Sequence, residues 1–241
     1  MSKKALKSSC WTLFLTLLLL GIPKLAGAIA DSFDYGVIDP DGAFAWLSVH
    51  HLAQAAMFLV IIIGIRWFRP LDFHLGWGDR KIGKQYVLRF TWIFSLYMIG
   101  SYVLILLTKS FQPFPYSLTA KNVAGYLGFQ LLLTGPSEEL IFRAFAITML
   151  GLFLHRRVFS GRVSVANIVA AVIFGLAHVS FSFAPFQVSY STMQVLYAMG
   201  LGLFYGDCYE KSGSVVYPMM MHSISNVLSV GATVILTWLL Q

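Results

Sequence analysis

Apolar residues gather along this chain in seven runs, near residues 11–29, 43–65, 87–108, 122–154, 163–181, 188–206 and 215–240, with short polar segments between them. About 20 apolar residues carry a helix across a bilayer, so the pattern predicts a stack of membrane-spanning helices. The fourth run is too long for one simple span. Gly135-Pro136 interrupts it, because proline cannot donate a hydrogen bond to the carbonyl four residues back.

The charges between the runs orient them. Lys3, Lys4 and Lys7 precede the first run, and the first loop holds Asp31, Asp34, Asp39 and Asp41 with no Lys or Arg among them. Arg66, Arg69, Arg80, Lys81, Lys84 and Arg89 surround the second loop, Lys109 and Lys121 flank the third, and Arg156, Arg157 and Arg162 follow the fourth run. The positive-inside rule places the N terminus, the second loop and residues 155–162 in the cytoplasm. It favours one net crossing between 121 and 155, because two would put the three arginines outside. The expected fold is an all-α, polytopic membrane helical bundle of seven to eight transmembrane helices. In the seven-helix version, 121–134 is an amphipathic or half-inserted helix leading into the site. The first run also has the form of a cleavable signal peptide, with Ala26-Gly27-Ala28 or Ala28-Ile29-Ala30 as small-residue sites. The alternating charge pattern favours an uncleaved span. No repeat or low-complexity tract divides the chain, so 1–241 reads as a single integral-membrane domain.

Composition agrees. The chain is 58% hydrophobic and 11% charged, where a soluble domain carries roughly 25% charged residues. Cys10 and Cys208 are far apart and have no metal-type spacing. The net charge of +7 lies between apolar runs and reads as membrane orientation, not nucleic-acid binding.

Against that background Glu138 and Glu139 stand out, since the only other glutamate is Glu210. An ionisable side chain at bilayer depth costs about 2.5 kcal/mol or more on insertion scales and marks a functional site by default. Glu139 and Arg143 are one helical turn apart and share a face, so they can pair. Glu138 lies about 100° round the helix, away from Arg143 and free to face a cavity. A pairing that staples helices together explains Glu139 and Arg143 without chemistry, but it leaves Glu138 without a local partner. Pro136 suits the first turn of a helix, and the helix dipole there favours a carboxylate.

Two later runs carry Phe174-x-x-x-His178 and His222-x-x-x-Asn226, each pair on one helical face. A lone membrane histidine is more often a helix–helix hydrogen bonder than a catalyst. The joint occurrence with Glu138 makes a hydrolytic set, in which carboxylate and imidazole hold a water while a second imidazole and a carboxamide donate to an oxyanion. His50, His51, His74 and His155, near span ends or loops, read as interfacial. No Gly-x-Ser-x-Gly, His-Glu-x-x-His or phosphate-binding glycine loop is present.

In order, Glu138-Glu139-x-x-x-Arg143, Phe174-x-x-x-His178 and His222-x-x-x-Asn226 resemble the motifs of the CAAX-protease and bacteriocin-processing family of glutamate-type intramembrane endopeptidases. The resemblance covers roughly 120–230, and residues 1–110 match no motif. It implies that Glu138 activates water together with His178, that His222 and Asn226 form the oxyanion hole, and that Glu139, Arg143 and Phe174 support the site. It implies no cofactor. A Glu/His/His set could bind zinc, but no zinc motif is present and the resemblance favours a metal-free mechanism. The expected partners are the lipid bilayer and a hydrophobic or membrane-anchored peptide or protein substrate, with no nucleic acid. The short loops suggest a prokaryotic cytoplasmic (inner) membrane. A non-enzymatic bacteriocin-immunity or scaffold protein, binding a peptide in the same cavity, is the alternative. A proton-coupled transporter ranks below both, because no inverted repeat of broken helices is visible.

Overall fold

The computed structural model describes residues 3–183 and 185–241, and it is dominated by helices. Three long helices come first: α1 (Lys3–Ala30), α2 (Ala45–Phe68) and α3 (Arg80–Leu107). A continuous helical stretch follows, built from α4 (Ala120–Phe129), a π-helical turn (Gln130–Thr134), α5 (Gly135–Glu139), a second π-helical turn (Leu140–Phe145) and α6 (Ala146–Gly151). Next come α7 (Val165–Leu176), α8 (Thr192–Ser212) and α9 (Val216–Leu240). Two antiparallel hairpins interrupt them, β1 (Arg157–Val158) with β2 (Val163–Ser164), and β3 (Ser180–Phe183) with β4 (Phe186–Ser189).

Among the described residues four helical segments are long and apolar enough to cross a membrane: Leu6–Ala30, Ala45–Phe68, Arg80–Leu107 and Val216–Leu240. Their apolar side chains face outward. On α3, Leu88, Trp92, Ile93, Leu96, Ile99, Val103 and Leu107 are all exposed, a surface that water would not tolerate and lipid covers. The protein is therefore an integral membrane protein. The other three apolar runs differ from the simple expectation for local reasons. The helix within 163–181 has only 12 residues. In α8, Asp207, Glu210 and Lys211 crowd the C-terminal end. Ser180–Phe183 and Phe186–Ser189, where the fifth and sixth runs approach each other, pair as strands, and the Ser/Phe alternation of the first has the period of two that a strand requires.

Gly135-Pro136 does not break the fourth run. Helix continues on both sides of Pro136, which occupies the first turn of α5, and the wider π-helical turn ahead of it absorbs the missing donor. Residues 121–134 are thus a continuous lead into the glutamate turn.

The core lies where the second π-helical turn meets its neighbours. Ile141, Phe142, Ala144 and Phe145 pack with Leu15 and Leu19 of α1, Phe58 and Ile62 of α2, Ile173 and Phe174 of α7, and Tyr209 of α8. Polar contacts tie the outer helices on. Trp11 donates to the Met149 carbonyl at 2.9 Å, and the Tyr102 hydroxyl donates to the Ser229 carbonyl at 2.8 Å. Gly135 lets α5 and α9 approach closely: a Cβ there would lie 2.7 Å from Ser223 Oγ and 2.9 Å from the Met219 carbonyl oxygen.

The start of α2 is held by Asp39, whose carboxylate accepts hydrogen bonds from the backbone N–H groups of Ala43 (2.9 Å), Phe44 (2.6 Å) and Ala45 (2.7 Å). These are donors that a helix start otherwise leaves unsatisfied. Burial opposes ionisation of Asp39, but these bonds and the charge of Lys121 outweigh it and hold the carboxyl below the usual carboxylate range. A carboxyl lowered in this way stabilises the fold above its unfolded pKa, and the contribution is lost as pH falls through the folded value. Asp39→Ala is expected to lower stability by about 1–3 kcal/mol at neutral pH. Thermal unfolding in detergent, repeated down through the acid range, should show variant and wild type converging.

Candidate active site

The glutamate turn presents its two carboxylates to different partners. Glu139 and Arg143 are fully buried and pair across one helical turn, with Arg143 Nε 2.9 Å from Glu139 Oε2. The angle falls short of a hydrogen bond, and the guanidinium nitrogens have no aligned acceptor among the described residues. Aromatic faces supply the rest of the compensation: the guanidinium lies 4.7 Å from the Phe174 ring centroid and 5.7 Å from that of Tyr205. Glu139 Oε1 meets His222 Nδ1 at 2.8 Å. A carboxylate oxygen only accepts, so Nδ1 is the donor, and this fixes the ring with Nε2 turned the other way.

His222 Nε2 lies 3.8 Å from Glu138 Oε2. The ring stacks on Tyr205 at 5.3 Å and meets the edge of Phe174 at 6.1 Å. The Tyr205 hydroxyl bonds Ser225 Oγ at 2.9 Å, and Ser225 donates to the His222 carbonyl at 2.8 Å. The imidazole is thus held on every side by α5, α7, α8 and its own helix. Glu138, unlike Glu139, keeps 19% of its side chain exposed, so the turn carries one sealed carboxylate and one accessible one.

The structure brings together Glu138, Glu139, Arg143, Phe174 and His222. His178 follows α7, half-buried, with Nδ1 on the Phe174 carbonyl at 2.9 Å and its ring edge-on to Phe174 at 5.0 Å. Among the described residues it makes no ion pair with Glu138 within 4.0 Å. Asn226 lies one turn beyond His222 and donates its amide to Gln130 Oε1 at 2.8 Å, which anchors α9 to the first π-helical turn.

His51 departs from its sequence expectation. His51, assigned to the interface because it lies near the start of its run, is 8% exposed, and its Nε2 is 3.3 Å from Glu138 Oε1. It supplies the partner that the sequence around Glu138 lacks. The signal that could have found it is the one applied to the glutamates: His50-His51 is an ionisable pair inside an apolar run. Gln130 and Tyr205 had no comparable signal. No group of three or more His, Cys, Asp or Glu among the described residues is arranged to hold a metal ion.

Removing one partner of a buried pair strands the other charge, which costs about 3–5 kcal/mol. Glu139→Ala is therefore expected to reduce the yield of folded protein and lower its unfolding temperature. Size-exclusion profiles and thermal unfolding in detergent check this, and an unchanged melting temperature would contradict the stapling role.

No curated protein and no solved structure matches the chain. Over residues 120–228, which include Glu138, Glu139, Arg143, Phe174, His178, His222 and Asn226, the chain matches the family model described as Type II CAAX prenyl endopeptidase Rce1-like.

Proposed function

We propose that the chain is an intramembrane glutamate-type endopeptidase that hydrolyses a peptide bond in a membrane-associated peptide or protein. The observation that carries this reading is the contrast within one helical turn. Glu139 is sealed and neutralised by Arg143, whereas Glu138 is accessible and faced by imidazole nitrogens.

In this reading Glu138 and His178 hold a water molecule. Its oxygen attacks the scissile carbonyl carbon while Glu138 takes one of its protons. The carbonyl oxygen becomes an oxyanion and accepts hydrogen bonds from His222 and Asn226. His222 keeps Nδ1 on Glu139 and turns Nε2 toward the reacting group, where it donates when Nε2 carries a hydrogen. Asn226 has a second amide hydrogen beyond the one given to Gln130. Collapse of the intermediate breaks the C–N bond, and Glu138 returns its proton to the departing amine. The His178 tautomer suits its task, because Nδ1–H is committed to the Phe174 carbonyl and Nε2 is left as an acceptor.

The whole chain acts as one domain, with 120–230 as its catalytic core. Seven passages fit the charge pattern, namely α1, α2, α3, the α4–α6 stretch, α7, α8 and α9, with the N terminus cytoplasmic and a prokaryotic inner membrane as the setting. The substrate is a hydrophobic or membrane-anchored segment.

Glu138→Ala in purified, reconstituted protein is expected to lower cleavage by about 100-fold or more. The assay uses internally quenched membrane peptides, made with and without a prenylated C-terminal cysteine, at matched expression. EDTA should leave the wild-type rate unchanged. Unchanged cleavage by Glu138→Ala overturns the reading, and EDTA loss restored by zinc overturns its metal-free form.

A further inference from the structure

We propose that His51 is a positioning residue for Glu138, holding the carboxylate in one orientation and sharing its proton. The proposal rests on the proteolytic reading for its purpose but on geometry for its substance. His51 lies in α2, outside the 120–228 segment that matches the family model, so nothing in that match assigns it a role.

His51 Nδ1 lies 3.0 Å from the Leu47 carbonyl oxygen one turn earlier in α2. A carbonyl only accepts, so Nδ1 carries a hydrogen, and in the neutral ring Nε2 presents a lone pair. That nitrogen faces Glu138 Oε1 at 3.3 Å. Two bare lone pairs facing each other at this distance repel. The contact therefore needs a hydrogen between the two atoms, and the ring supplies it when Glu138 is the ionised base.

The ring has little freedom to turn away. Phe129 meets it edge-on at 4.9 Å, and His50 meets it edge-on at 5.2 Å. The second carboxylate oxygen of Glu138 faces His222 Nε2. An imidazole thus addresses each oxygen, one from α2 and one from α9, and together they set the plane of the carboxylate. A base that must take a proton from water and return it to an amine depends on such a fixed plane. The two imidazoles differ in their backing: a backbone carbonyl stands behind His51, and the carboxyl group of Glu139, paired with Arg143, behind His222.

Three variants of the full chain in nanodiscs separate positioning from packing. Phe keeps a ring against Phe129 but has no polar atom. Gln loses the ring but offers both a donor and an acceptor to Glu138. Ala removes both. On the quenched peptides, His51→Phe and His51→Ala should lower kcat about 10-fold or more with KM changed less than about threefold, and His51→Gln should recover most of the loss. A purely packing role gives the reverse order, with Phe active and Gln impaired, and would overturn the proposal. The second measurement needs no turnover. In protein labelled with 15N-histidine, the His51 resonances are assigned by their loss in His51→Gln, and the Nε2 signal should shift in Glu138→Gln. An unmoved signal overturns the pairing. A shifted signal with no cleavage of any peptide by wild type supports the pairing and counts against the proteolytic reading instead.

Discussion

Placing ionised groups where water cannot reach them is the constraint around which this molecule is arranged. Desolvating Arg143 and Glu139 is expensive, and mutual attraction offsets that expense only when the geometry is good and further contacts complete it. Here the further contacts come from three other helices: Phe174 of α7, Tyr205 of α8 and His222 of α9. The pair is local in sequence, yet it forces distant segments to converge on it. That convergence orients the imidazole of His222 toward Glu138. The structural pair and the candidate chemistry are therefore coupled through one ring, whose Nδ1 serves the first and whose Nε2 serves the second.

Helix geometry solves the placement problem around this pair. An uninterrupted α-helix from 120 to 151 would meet Pro136 in its interior, where the missing N–H and the ring clash weaken it. The π-helical turns on either side of α5 widen the helix locally. Such turns recur at functional sites because they change the direction of side chains without ending the helix. The same segment approaches α9 closely because residue 135 is a glycine with Ser223 against it. Close approach, widened turns and buried charge act on the same stretch, residues 130–145. That is why the molecule keeps its polar groups here and presents leucine, tryptophan and isoleucine to the lipid.

The parts of this arrangement that depend on neighbours in the chain were legible beforehand. The spacing of Glu139 and Arg143 foretold their pairing, and the apolar runs foretold membrane helices. The pairing of β3 with β4 was hidden because the ends of the hairpin fall within two apolar runs, 163–181 and 188–206, that read as spans, although its alternation was present. His51 was hidden for a deeper reason. Its contact with Glu138 joins positions 87 residues apart, and no periodicity along α2 reports what α5 brings to its face. Gln130 and Tyr205 were hidden likewise, since a glutamine in a helical run or a tyrosine in an aromatic-rich one carries no mark of its partner.

By itself the sequence determined that the chain enters a membrane, that its charged pair is one turn long, and that a second carboxylate is left over. These follow from hydropathy and from 3.6 residues per turn, which are properties of a single segment. Only the tertiary structure decided which imidazoles meet that second carboxylate, which of their nitrogens they present, and where Asn226 finds its amide partner. Those outcomes depend on the distances and rotations at which whole helices pack. Packing is settled by the sum of many weak contacts across the bundle, and no one stretch of residues encodes that sum.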